Sequence, residues 1–114
     1  MQNFDQGENG ILQTLYVYEQ TKEKELTPSE LCRIQQLSSG RVATTLKTLE
    51  KKELIERTTD QIDKRKSIIQ LTNKGREVAE KIIKITSKKF EEIIDKLGEQ
   101  DTLEFIRILK RLGE

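Results

Sequence analysis

Residues 26–75 read LTPSELCRIQQLSSGRVATTLKTLEKKELIERTTDQIDKRKSIIQLTNKG and contain the signals that decide the fold. The first signal is a helix start, in which Thr27 is followed at once by Pro28 and three residues later by Glu30. Threonine and glutamate at this spacing form a capping box, and proline suits the first helical position because no amide hydrogen is needed there. The stretch therefore predicts a short helix that begins at Pro28 and ends near residue 36.

A further helix follows a short break at residues 37–38. Ser38 or Ser39 is its predicted cap, and it runs to about Lys52. Apolar residues recur along it at i, i+4 and i+7, which places them on one buried face. They are Val42, Leu46 and Leu49. The two helices and their tight connection predict a helix-turn-helix.

The periodicity changes after this helix. Residues 54–59 and 67–71 contain β-branched side chains and predict two strands. The seven or so residues between them form a tip that is polar and mainly charged as a whole, which is long for a tight hairpin but suits a wing. Asp63 precedes Arg65 by two residues, so we predict a local ion pair that shapes this tip.

The remaining segments are helical. A first helix is predicted from Gly10 to about Thr21. A long helix is predicted from its cap Thr72 to about Leu97, where Gly98 ends it, and a last helix follows. The predicted fold class is mainly α with a small β-hairpin wing: a winged helix-turn-helix with C-terminal dimerisation helices. The predicted parts are a flexible N-terminus (1–9), a winged-helix DNA-binding region (10–75) and dimerisation helices (76–114).

Charge is unevenly distributed, although the net charge of the 114 residues is only +1. Residues 38–66 contain eight basic and five acidic side chains, whereas residues 1–31 contain two basic and six acidic ones. The middle of the chain therefore suits a polyanion. The N-terminus has no signal-peptide pattern, no apolar run reaches membrane-spanning length, and there is one cysteine, so we expect a cytoplasmic protein that does not enter the membrane.

An α-helix fits the major groove of DNA, where its first turns reach base edges. The third predicted helix opens with small residues that allow close approach and phosphate binding, namely Ser38, Ser39 and Gly40. Candidates for base contacts are Arg41, Thr44, Thr45 and Thr48, and candidates for backbone or minor-groove contacts at the tip are Lys64, Arg65 and Lys66. These features predict binding of duplex DNA.

The ordered set of these parts over residues 10–112 resembles the MarR family of regulators, including LEKKELIER, the Asp-x-Arg element of the tip, and LTNKG. The resemblance implies a homodimeric transcription factor, usually a repressor released by a small-molecule ligand or by oxidation, that dimerises through its terminal helices. It maps base reading to Ser39, Gly40, Arg41, Ala43 and Thr44, and wing contacts to Asp63, Lys64 and Arg65. Glu53 stands where the family usually has glycine.

Other interpretations are open at this point. The Ser38–Thr48 face and the basic tip are also compatible with ordinary solvated surface, and the near-neutral net charge is compatible with a winged-helix adaptor that binds protein. An enzyme is not predicted, since the chain has no histidine and no glycine-rich phosphate loop, and we predict no cofactor and no metal. Cys32 is interpreted as a packing residue of its helix.

Overall fold

The structure is a computed structural model that describes residues 6–112. The elements are α1 (Gln6–Thr21), α2 (Pro28–Gln35), α3 (Ser39–Lys51), β1 (Ile55–Thr59), β2 (Ser67–Leu71) and α4 (Asn73–Leu112). Their order is that of a winged helix-turn-helix, which confirms the predicted mainly α fold with a β-hairpin wing. The contacts divide the chain into one unit that ends at Ile82 and a second that begins at Ile83.

Helix α1 begins at Gln6, four residues before the predicted start at Gly10. Its first turn is stabilised by a contact distant in sequence, because the buried carboxylate of Glu8 pairs with Lys52 at 2.7 Å. The polar sequence of residues 6–9 gave no sign of this partner. Residues 1–5 of the predicted flexible N-terminus lie outside the described residues.

The first unit has one hydrophobic core, formed by the inner faces of α1, α2 and α3 with the hairpin and the start of α4. Its buried apolar residues are Ile11, Leu12, Leu15, Leu26, Leu31, Val42, Leu46, Leu49, Leu54, Ile55, Ile69, Leu71 and Ala79. Cys32 is half-buried and packs against this core, in agreement with its interpretation as a packing residue.

The two strands pair antiparallel, with Ile55 opposite Leu71 and Thr59 opposite Ser67. The hairpin has a third member that the sequence did not predict, since the Ile69 amide donates to the carbonyl of Leu26 at 2.9 Å. The segment before α2 is thereby fixed to the inner strand of the wing.

The start of α4 packs tightly on the chain that enters the hairpin. A Cβ atom on Gly75 would lie 1.9 Å from the carbonyl oxygen of Leu54, so only glycine fits there. Thr72 caps α4 as predicted: its hydroxyl accepts from the Gly75 amide at 3.0 Å and donates to the carbonyl of Glu53 at 2.7 Å. These contacts fix the base of the wing.

Glu53 has a φ of 61°, in the left-handed region that favours glycine. The turn closes with the Leu54 amide donating to the carbonyl of Leu49 at 3.0 Å. Glu53 therefore adopts the left-handed backbone conformation that glycine would adopt at this family position. This conformation is strained for a residue that has a Cβ atom.

The second unit consists of the later part of α4 and is interrupted at Gly98, where a φ of 76° and a ψ of 173° break the helix as predicted. That conformation is essentially restricted to glycine. Large apolar side chains are exposed along the unit, among them Ile85, Phe90, Ile93, Leu103, Phe105, Ile106, Ile108, Leu109 and Leu112. Within residues 6–112, the structure has no helix long and apolar enough to cross a membrane.

Candidate nucleic-acid interface

The first turn of α3 is organised by Ser38, which is the N-cap rather than Ser39. Its side-chain oxygen accepts a hydrogen bond from the Arg41 amide at 3.1 Å. The first amides of a helix lack partners within the helix, and together with the helix dipole they form an anion-binding end. Ser38, Ser39, Gly40 and Arg41 are all exposed at this end.

Gly40 leaves the backbone of α3 open to a partner. A Cβ atom built at this position would have no heavy atom of its surroundings within 4 Å, in contrast to Gly75. Folding therefore does not require glycine here. Glycine even makes a helix less stable than alanine does, by roughly 0.5–1 kcal/mol. The missing side chain allows another molecule to approach the backbone closely.

Beyond the first turn, the exposed face of α3 presents methyl groups and hydroxyl oxygens. The hydroxyl of Thr44 donates to the carbonyl of Gly40 at 3.0 Å, and that of Thr48 donates to Thr44 at 3.2 Å. These threonines therefore offer acceptor lone pairs and methyl groups, which suit base amino groups and the methyl group of thymine. Ala43 and Thr44 are exposed, whereas Thr48 is half-buried.

Thr45 is a correction to the predicted site. Its side chain belongs to the buried face of α3, with 3% of its surface exposed, and its hydroxyl donates to the carbonyl of Arg41 at 2.8 Å. The spacing contained this information, because Thr45 lies three residues after Val42 and four before Leu49. Its hydroxyl is satisfied within the helix, so burial leaves no unpaired polar group.

The tip of the wing, residues 60–66, has a defined backbone. The Asp60 carboxylate accepts hydrogen bonds from the amides of Ile62 at 2.8 Å and Asp63 at 3.2 Å. The Asp60 amide donates to the carbonyl of Lys66 at 3.0 Å, and the Lys66 amide donates to Asp63 at 3.0 Å. The tip is thus held by hydrogen bonds at both ends.

The predicted ion pair in the tip is confirmed. The guanidinium of Arg65 donates to the Asp63 carboxylate at 3.1 Å, and so does its amide, at the same distance. These hydrogen bonds, with the charge of Lys66, lower the pKa of the Asp63 carboxyl. Arg65 is 91% exposed and Asp63 only 30%, so the carboxylate orients an outward-facing cation. Lys64 and Lys66 are exposed beside it.

Contacts between distant residues connect the site to its surroundings, and sequence reasoning missed them. Glu50 of α3 pairs with Arg57 of β1 at 2.8 Å, which joins the helix to the first strand of the wing. The wing also borders the start of α2, where a groove is lined by Thr27, Pro28, Ser29, Glu30, Arg65, Lys66 and Ser67. Ser29 therefore lies beside the basic tip, although no local pattern in the sequence indicates this.

The chain matches the model of a known protein family. The model of the transcriptional regulator SarA/Rot family matches residues 3–82. A search of curated protein sequences gave no match.

Three solved structures show similar folds. FabT of Streptococcus pneumoniae in complex with DNA has a TM-score of 0.83 and 26% identity, covering 97% of this chain and 74% of that one. The Staphylococcus aureus MepR–DNA complex has a TM-score of 0.81 and 25% identity, covering 96% and 77%. The transcriptional regulator Tm0710 from Thermotoga maritima has a TM-score of 0.64 and 29% identity, covering 96% and 73%.

These similarities agree with the fold and with the resemblance noted in the sequence. The family match extends over α1, α2, α3, the hairpin and the first turns of α4, and the structural matches include nearly the whole chain. The prediction of a MarR-type winged-helix regulator is thereby confirmed. The chain belongs to the SarA/Rot family of transcriptional regulators.

Proposed function

We propose that the chain binds duplex DNA sequence-specifically, with the first turns of α3 in the major groove and the tip of the wing on the adjacent backbone or minor groove. The observation that carries this proposal is the pairing of a capped, exposed helix start with a hydrogen-bonded cationic tip. A helix start binds phosphate and reaches base edges, and Arg and Lys favour narrow, electronegative grooves. The similar FabT and MepR structures contain DNA, which supports the same use here.

Each part of the site has a separate role in this proposal. Ser38, Ser39 and Gly40 approach a phosphate, and Arg41 is the candidate for a bidentate contact to guanine. The methyl groups of Ala43 and Thr44 suit thymine, with Thr48 at the edge of the contact. Lys64, Arg65 and Lys66 neutralise phosphates, while Asp63 acts by orienting Arg65.

The proposal includes a homodimer that joins through the C-terminal segment, residues 76–114. Exposed large apolar residues cluster in the second unit, and such surfaces mark interaction sites. The MarR-type resemblance favours a second copy as the occupant, and a two-fold dimer matches a palindromic operator. The same resemblance favours repression, and a DNA target supports a cytoplasmic location. The small-molecule effector that the resemblance implies stays a prediction.

Selection of bound duplexes from a random library, followed by affinity measurements at several salt concentrations, tests the DNA-binding proposal. Binding should weaken steeply with salt, with a slope of about −0.9 for each neutralised phosphate. Lys64→Ala should reduce both the affinity for every sequence and this slope, whereas Arg41→Ala should relax the preference at one base pair by about 1–3 kcal/mol. Lys81→Ala on exposed α4 surface is the matched control. Binding that does not depend on salt, or no selected sequence, would contradict the proposal.

The homodimer is tested separately by analytical ultracentrifugation. We expect a species of twice the 13.3 kDa chain mass at micromolar concentration. The double variant Phe105→Glu, Ile108→Glu should be monomeric and should bind DNA more weakly, because it places charge in the proposed apolar dimer interface. A wild-type chain that sediments as a monomer at the concentration where it binds DNA would contradict the dimer while leaving the DNA-binding proposal standing.

A further inference from the structure

One apolar side chain is exposed in the middle of the charged tip. Ile62 is 97% exposed, the highest value among the exposed large apolar residues of the described chain. Most of the others belong to the second unit, whereas Ile62 lies in the wing of the first unit. Its neighbours in the tip are polar or charged. A single exposed apolar residue is ordinary on a protein surface, so its significance depends on how the tip holds it.

The tip holds Ile62 outward rather than leaving it on an unconstrained loop. Its amide donates to the Asp60 carboxylate at 2.8 Å, and the same carboxylate accepts from the next amide, that of Asp63. The ends of the tip are joined by the Asp60–Lys66 backbone hydrogen bond. Isoleucine is β-branched and stiff at χ1, so ordering this side chain on contact loses little conformational entropy.

We propose that Ile62 is an apolar DNA contact of the wing, packing against the deoxyribose carbons that line the minor groove. This inference rests on the proposed function. The exposed cations Lys64, Arg65 and Lys66 match the phosphates on either side of such a groove, which favours DNA as the occupant over a protein. Apolar side chains that enter the minor groove contact sugars and bases there. Ile62 thus contributes an apolar contact to DNA affinity, whereas the basic residues of the tip contribute ionic contacts to phosphates.

Substitution at Ile62, measured against salt, separates this contact from the ionic ones. Ile62→Thr keeps the branched shape but removes apolar surface, and it should lower affinity for the selected duplex about tenfold. The loss should be the same at every salt concentration, because an apolar contact releases no counterions. Ile62→Val, which removes one methylene group, should lower affinity about threefold. Lys64→Ala is the contrasting variant, since it should change the salt slope.

The outcomes distinguish this inference from the proposed function. If the wild-type chain binds the duplex and Ile62→Thr binds equally well, the apolar contact is refuted while the proposed function stands. A loss that comes with a changed salt slope also overturns it. If Ile62→Thr instead loses a protein partner and keeps its DNA affinity, the partner of the tip is a protein and the inference is wrong. Thermal unfolding should be unchanged in both Ile62 variants, because the side chain is 97% exposed in the folded chain.

Discussion

Replacing Gly40 by alanine should stabilise the fold and weaken DNA binding at the same time. The added Cβ atom meets no heavy atom within 4 Å, so the substitution introduces no clash inside the chain. Alanine is the better helix former, and the gain in the free energy of unfolding is about 0.5–1 kcal/mol. The melting temperature should rise by about 2–6 °C.

The opposite effect on binding follows from the same open space. If the start of α3 lies against a phosphate, the new methyl group separates the helix amides from the anion. A hydrogen bond to a charged group contributes about 1.5–3 kcal/mol, so affinity should fall about 10- to 150-fold. The assays are thermal unfolding by circular dichroism and fluorescence anisotropy with a labelled duplex. Stabilisation with unchanged DNA affinity would refute the close approach of α3 to DNA.

Gly75→Ala is the matched control for this experiment. Its Cβ atom would lie 1.9 Å from the carbonyl oxygen of Leu54, so the start of α4 must shift and the protein should lose stability. The two glycines therefore predict opposite changes in melting temperature for the same chemical substitution. An equal effect at both positions would show that helix propensity alone, rather than local space, determines the result.

Four further substitutions test other parts of the structure. Glu53→Gly should raise the free energy of unfolding by about 0.5–1 kcal/mol in urea denaturation, because it relieves a non-glycine residue at φ 61° while adding freedom to the unfolded chain. Thr45→Val should leave DNA affinity within about twofold of wild type, whereas Thr44→Val should change base preference; a changed preference for Thr45→Val would contradict its burial. Hydrogen bonding to Arg76 lowers the pKa of Glu19 in the folded chain. The pair therefore stabilises the fold at pH values above the unfolded pKa of about 4.3, and this contribution is lost as the pH falls through the lower folded pKa. Glu19→Gln should make the melting temperature depend less on pH in this acid range, and an unchanged dependence would count against the pair.

Much of the fold could be predicted because its signals are local. The capping box at Thr27 and Glu30, the apolar spacing of α3 and the β-branched strands each act within a few residues, and the structure confirms all three. Gly98 likewise interrupts α4 where the sequence indicated. Capping, helix periodicity and strand propensity depend mostly on neighbouring residues, so one sequence suffices to recognise them.

The features that could not be predicted depend on contacts between distant residues. The first turn of α1 contains the Glu8–Lys52 pair, and the third member of the hairpin is formed where Leu26 reaches Ile69. The burial of Thr45 is a different case, because its spacing relative to the buried residues of α3 could be read from the sequence. Its polar side chain nevertheless suggested an exposed position. A hydroxyl that bonds back to the preceding turn can be buried, and the sequence does not show that bond.

Nuclear magnetic resonance of the labelled chain during titration with its selected duplex tests the DNA-binding surface most directly. We expect the largest amide shift changes on residues 38–44 and 60–66, at the start of α3 and the tip of the wing. Changes confined to other surfaces, or no change at either segment while the duplex is bound, would contradict this expectation.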